Sequence, residues 1–478
     1  MPIASVRFSQ IAGVSLSLGL LLPNPAGAAV DLSALTSILG QTQEGTWARV
    51  NLNAFSDTWL PYDQRAQLGF AAPTSSVIGA WSSFAWDNTR GNLIIYGGGH
   101  GNYAGNEVYE WSGTSQMWSL ASLPSQVNMI VDTNGYQHFI PVDGALNAPQ
   151  SAHTYDNTLY LPIFDRYITF GGASTNSGSV YVKQVGDSLQ ATGPYLWDPS
   201  KADPTKVGGT TGSGIDPATE GGEMWSNRDY LTNSNLASAS YVPGSFVQGA
   251  SAYRTESGKD VVYISASRGG SSTQDLWKVT FNDLNDSSQD VWEVVGVGWD
   301  GGFSLGAGAL DDEHNLFIRV GNASKLTIWD LDHAGTGNKS IGIDVTDDLG
   351  NPMSLIGAGM EYDPIRNRII VWYGGNDVWY LDVPDRMENG DLVTTGWVFH
   401  KDSTLGLESP PESVENGVNG KWDYIAELDA FIAVENKVEG NVWIYKPTGW
   451  VAPVPEPETY AMLLAGLGII GLRRLYRN

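Results

Sequence analysis

Few side chains in this sequence could carry demanding chemistry, so those present are informative. There are six histidines and no cysteine in 478 residues. Two of the histidines sit in turn-like surroundings: His100 in "IIYGGGHGNYAGNEVY", Ile94 to Tyr109, and His153 in "SAHTYD". Glycines before a histidine, with Tyr103, Asn106 and Glu107 after it, could form a phosphate cradle, an oxyanion loop, a metal site or a turn. The phosphate reading lacks a Lys-Ser/Thr pair and a helix N-terminus. The oxyanion reading lacks a G-x-S-x-G elbow to supply a nucleophile. A metal would need a third ligand beyond His100 and His153, with Glu107, Glu223 and Glu361 available. A histidine that only caps backbone groups is the plainer alternative. Asn106 is suited to satisfying turn backbone.

Three further groups are candidates for ligand contact. "GGEMWSNRDY" joins Glu223 and Trp225 to Arg228 and Asp229, an aromatic platform beside hydrogen-bonding charges of the kind that sugar rings accept. Arg254 and Arg268, expected at the entry to the first strand and in the Gly-pair loop of the unit that begins at Gln248, could present cations to an acidic polysaccharide or neutralise local carboxylates. "DVTDDLGN", Asp344 to Asn351, is acidic enough to suggest calcium but lacks EF-hand spacing. No carboxylate pair can be assigned to glycosidase chemistry from spacing alone. No cofactor is evident, and a divalent metal is the one to test.

Positioning these residues is the task of an internal repeat. "GAWSSFAWDNTRGNLIIYGGGHGNYAGNEVYEWSGTSQMWSLAS" from Gly79 aligns with "GAGMEYDPIRNRIIVWYGGNDVWYLDVPDRMENGDLVTTGWVFHKD" from Gly357. Each reads as an apolar strand, an Asp-centred turn, a second apolar strand, a Gly pair, an aromatic strand and a last strand carrying Trp. Looser copies begin at Gln150, Gln248, Gly306 and Asn419, and the last has Glu435-Asn436 in place of the Gly pair. Four strands per unit and six units predict an all-β fold, a propeller of six four-stranded blades, with seven blades or a sandwich array as alternatives. The sixth unit is one strand short. "GTWARVNL", Gly45 to Leu52, supplies an orphan strand that would complete it and tie the ends into one sheet. The stretch from Tyr195 to Gly244 is expected to be a long insertion.

The double glycine followed by an aromatic and then a Trp resembles the kelch motif, over roughly residues 45 to 448. That resemblance implies a β-propeller with binding loops around the channel mouth, where second-to-third-strand loops and the starts of inner strands share one face. His100 and His153 would then face each other across neighbouring blades. The tyrosine–cysteine radical site of galactose oxidase, a kelch-like enzyme, is excluded by the absence of cysteine.

Composition agrees with an all-β chain: 57 Gly, 18 Trp and 21 Tyr, with 16% charged residues. A formal charge of −26 argues against nucleic acid as a partner. Residues 1–28 have the layout of a secretory signal peptide, with Arg7, an apolar run from Ile11 to Leu22 and a terminal "AGA". Residues 29–452 form the expected propeller domain. The tail, 453–478, has Pro455-Glu456-Pro457, a short apolar segment from Tyr460 to Leu472, then Arg473, Arg474 and Arg477. That order resembles the PEP-CTERM sorting signal. The resemblance implies a Gram-negative source, export, an exosortase-type partner that recognises Pro455, Glu456 and Pro457, a short transmembrane helix anchoring a periplasm-facing domain, and delivery to the cell surface or an exopolysaccharide matrix. The expected function is binding of carbohydrate or of a surface protein through the top face. The alternative is a polysaccharide lyase or hydrolase, metal-assisted or not.

Overall fold

The computed structural model describes residues 30–453 except 175–179, 213–218, 234, 239, 270–272, 299–304 and 321–322. The expected signal peptide and the sorting tail with its short helix lie outside the described residues.

Six four-stranded antiparallel blades surround a central axis. Blade 1 comprises Phe84–Asp87, Asn92–Ile95, Tyr109–Ser112 and Met117–Leu120, in order from the axis outward. Blade 2 comprises Thr158–Leu161, Arg166–Thr169, Tyr195–Trp197 and Trp225–Asn227. Blades 3 and 4 start from the inner strands Pro243–Glu256 and Gly308–Asp311. Blade 5 starts from Gly359–Asp363 and gains a parallel edge strand, Thr346–Asp347. Blade 6 runs Trp422–Ile425, Ala430–Glu435, Asn441–Lys446, and is completed by Thr46–Arg49 from the other end of the chain. The six inner strands touch in a closed circle, blade 6 meeting blade 1.

Side-chain alternation explains the ring. In the second strand of blade 5, Ile369 and Val371 enter the core shared with blade 4, whereas Ile370 and Trp372 enter the core shared with blade 6. A period of two therefore gives each blade two apolar faces, and six clusters fill the six gaps between blades. The third strand of every blade carries a tryptophan: Trp111, Trp197, Trp277, Trp329, Trp379 and Trp443.

The glycine pairs are turns that demand them. Gly97 and Gly98 have φ of 128° and 97°, and Gly374 and Gly375 of 116° and 71°. A Cβ on Gly97 would lie 2.6 Å from the Ala152 carbonyl oxygen. Where blade 6 has no glycine, Asn436 takes φ 64°, since Asn tolerates the left-handed region better than most residues.

Two expectations need correction. Tyr195 to Gly244 is not an insertion outside the repeat, because it contains the third and fourth strands of blade 2. The inserted element is the hairpin Val182–Val185 with Ser188–Ala191, which lies before them and carries the alternation that reads as a third strand. Arg254 does not sit at the start of the inner strand of blade 3. That strand begins at Pro243 and is bulged between Ser245 and Ala250, which puts Arg254 near its far end, paired with Val261.

Candidate functional site

His100 and His153 do come together. Their ring centroids are 5.4 Å apart at 72°, with His153 also packed on Trp81 and Tyr155. His153 is 1% exposed, and burial, then the neighbouring His100, depresses its pKa to about 3. Its Nε2 lies 3.0 Å from Asn102 Oδ1, so it ties down the loop that carries His100, which is itself exposed with φ 52°. Among the described residues no three His, Asp or Glu side chains are grouped so as to hold one metal ion.

The other candidates have partners within the fold. Tyr103, 1% exposed, donates its hydroxyl to Glu107, which also accepts from the Tyr109 hydroxyl at 2.9 Å. Glu107 is therefore an interior carboxyl, raised in pKa by burial, rather than a group at a mouth or a solvated strand end. Asn106 accepts from the Ser125 amide at 2.7 Å and donates to the Pro149 carbonyl at 3.1 Å. Trp225 is buried against Tyr96 and Tyr167 between blades 1 and 2, whereas Glu223 is exposed, and its backbone carbonyl accepts from Lys201. Arg254 donates to Glu256, Tyr263 and Asn315, and Arg268 is bidentate to Asp275 at 2.6 and 2.8 Å. In "DVTDDLGN", Asp347 caps its own turn through the amides of Leu349 and Asn351.

A cavity lies elsewhere, in the channel. It has a volume of about 390 Å³ and is lined by all six inner strands. Its wall includes Asn88, Pro162, Asp312 and Pro364 from the turns between first and second strands, so it opens at the end opposite the His100 loop. Trp86, Tyr160, Tyr253, Tyr362 and Tyr424 line it from five blades, with Leu310 on the sixth. Three of the tyrosines are held by aspartates: Tyr253 donates to Asp260 at 2.9 Å, Tyr424 to Asp429 at 2.9 Å, and Tyr160 to Asp165.

Carboxyl groups occupy the same wall. Asp156 sits towards the end nearer His153, where its Oδ2 accepts from the amides of Ser251 at 3.2 Å and Gly308 at 2.9 Å. Glu361 and Asp423 are enclosed by protein yet keep partial access to the lumen. Burial, then repulsion from Asp423 and Asp156, holds the pKa of Glu361 well above the usual range. Burial raises Asp423 to about 7, opposed by the Tyr424 and Trp86 amides and assisted by Glu427. Desolvation of a charge that lacks a cation is the common cause. No motif marks these positions, because Glu361 and Asp423 are single acidic residues in two inner strands, Asp156 precedes a third, and only closure of the ring brings them together.

Residues 453–477 match the PEP-CTERM protein-sorting motif. No curated protein matches the chain. Among solved structures, a GH43_1 enzyme from Xanthomonas citri aligns at 11% identity and TM-score 0.31, covering 64% of this chain and 90% of its own. A GH43 beta-xylosidase/alpha-arabinofuranosidase from a compost microbial metagenome aligns at 11% and 0.28, covering 63% and 93%. A GH74 xyloglucanase from Xanthomonas campestris aligns at 11% and 0.32, covering 83% and 57%. These similarities are too low to transfer an activity, and the kelch likeness remains one of repeat pattern. The chain thus combines a six-bladed β-propeller with a PEP-CTERM sorting motif, the mark of an exported protein of Gram-negative type.

Proposed function

We propose that this is an exported carbohydrate-binding propeller that holds a saccharide in its central channel. The observation that carries the reading is the convergence of aromatic side chains from five blades and carboxyl groups from several on one cavity. Its volume of about 390 Å³ falls within the ~300–1,000 Å³ usual for ligand sites. Aromatic faces suit the C–H faces of sugar rings, and a protonated carboxyl both donates to and accepts from hydroxyls. Sorting of the chain outward gives it access to extracellular polysaccharide. The test is a glycan array probed with the mature domain, its Glu361→Gln variant and its His100→Ala variant. A set of glycans bound by the wild type and by His100→Ala, and weakened at least tenfold by Glu361→Gln, is expected. No glycan bound, or loss through His100→Ala alone, overturns it.

A second reading, glycoside hydrolysis, is favoured by one observation: Asp423, at about 7, shares the lumen with Glu361. A protonated carboxyl beside a second carboxyl is the donor set of that chemistry. Release of new reducing ends by the wild type, abolished in Asp423→Asn with binding kept, would establish it.

A further inference from the structure

The channel has an unbalanced wall. Asp156, Asp312, Glu361, Asp423 and Glu427 all line it, and no lysine or arginine is among its lining residues. The guanidinium that acts on Asp156 is that of Arg319, which is wholly buried and donates to Ser265, Gln274 and the Gln248 carbonyl. Asp156 is 7% exposed, and only its Oδ2 receives hydrogen bonds from the protein; Oδ1 has no donor among the described residues and is left to the cavity. Carboxyl groups gathered in a low-dielectric lumen without a counter-charge are costly to ionise, and a cation entering the lumen relieves that cost. They are too dispersed for one metal ion to gather three of them. A ligand with positive charge spread along it would answer each in turn, and the aromatic side chains between them add cation–π attraction.

We propose that the saccharide held in the channel is cationic, built of hexosamine units with free ammonium groups, as in a de-N-acetylated amino-sugar polymer. This rests on the carbohydrate reading above and adds the sign of the ligand's charge. It also reverses the expectation that arginines would receive an acidic polysaccharide, since Arg254 and Arg268 are already paired with Glu256 and Asp275. On entry of an ammonium group the carboxyls of Glu361 and Asp423 ionise and release protons to solvent.

The experiment is isothermal titration of the mature domain at pH 6.5 with four probes: the glucosamine tetrasaccharide, the N-acetylglucosamine tetrasaccharide, an oligoglucuronate and spermine. At least tenfold tighter binding of the glucosamine tetrasaccharide than of its N-acetylated form is expected. Its enthalpy should vary with the ionisation heat of the buffer, and Glu361→Gln and Asp423→Asn, each shown to be folded by a cooperative thermal transition, should reduce the preference. Should one variant fail to fold, the other and the buffer dependence still decide the matter. Equal or tighter binding of the N-acetylated or the anionic probe overturns the charge while leaving the carbohydrate reading in place. Tight binding of spermine with none of any saccharide overturns the carbohydrate reading and leaves the charge. Absence of binding by all four overturns both.

Discussion

The carboxylate of Asp156 accepts from the Gly308 amide at 2.9 Å, joining the segment that leads into blade 2 to the inner strand of blade 4. The same oxygen takes the Ser251 amide of blade 3, so one side chain fastens three blades at the axis. Asp156→Ala would leave two buried amides unsatisfied, at about 1–3 kcal/mol each. Asp156→Asn keeps an acceptor and should cost less than half as much. Urea denaturation of the two variants measures the difference.

The channel carboxyls give a pH dependence with a definite sign. Asp423 is raised to about 7 in the fold, whereas an unfolded Asp titrates near 3.9. The folded state therefore holds a proton that the unfolded chain has released, and stability falls as pH rises between those values. Glu361, Glu427 and Asp156 face the same lumen and act in the same direction. Asp423→Asn should stabilise the protein by about 1–3 kcal/mol at pH 8 and by almost nothing at pH 4. Thermal transitions at the two pH values provide the check.

Turns of neighbouring blades are latched by arginine. Arg90 of blade 1 is bidentate to Asp165 of blade 2 at 2.6 and 2.8 Å, and Arg366 of blade 5 to Asp429 of blade 6 at 3.0 and 2.7 Å. Arg366 also pairs with the fully buried Asp363. Lysine cannot reproduce the planar fork. Arg366→Lys should cost on the order of 2 kcal/mol and Arg366→Ala about 3–5 kcal/mol, read from denaturant midpoints. At Asp165, burial works against ionisation but the hydrogen bonds from Arg90 and Tyr160 prevail and lower its pKa. That part of the stability is present at neutral pH and disappears as acid protonates the carboxylate, so Arg90→Lys should differ less from wild type at pH 3 than at pH 7.

Ring closure rests on Trp47. It is 3% exposed, packs on Trp372, Trp422 and Tyr445 at 5.0 to 5.6 Å, and donates Nε1 to the Asn376 carbonyl. Trp47→Ala should cost about 3–5 kcal/mol. Hydrogen exchange should then rise first in Asn441–Lys446, the strand that pairs with Thr46–Arg49.

The two histidines should separate cleanly. His153→Ala removes a buried ring and its contact to Asn102, costing about 1–3 kcal/mol, whereas His100→Ala at an exposed position should stay within about 0.5 kcal/mol. Neither substitution should alter saccharide affinity, which titration of both variants would verify.

The architecture was legible because each blade repeats a pattern that steric rules enforce. Glycine pairs occur where φ is positive, whereas the tryptophan expected in the last strand of each unit is found in every third strand. Thr46–Arg49 was legible as the missing strand because the sixth unit was one strand short. The meeting of His100 with His153 followed from blade topology. Blade 2 misled, since its inserted hairpin alternates as its true third strand does. The channel was illegible for a different reason: Asp156, Glu361 and Asp423 are far apart in sequence, fit no spacing, and acquire a common environment only through six-fold closure. The aromatic residues of "GGEMWSNRDY" suggested a sugar platform, yet Trp225 serves as packing between blades.

The most direct measurement is a crystal structure of the mature domain with a bound amino-sugar oligosaccharide. The expected result is sugar density in the channel, ring faces against the aromatic wall, and nitrogen atoms within hydrogen-bond distance of Glu361 or Asp423. Sugar bound at the His100 loop with the channel unoccupied would contradict it.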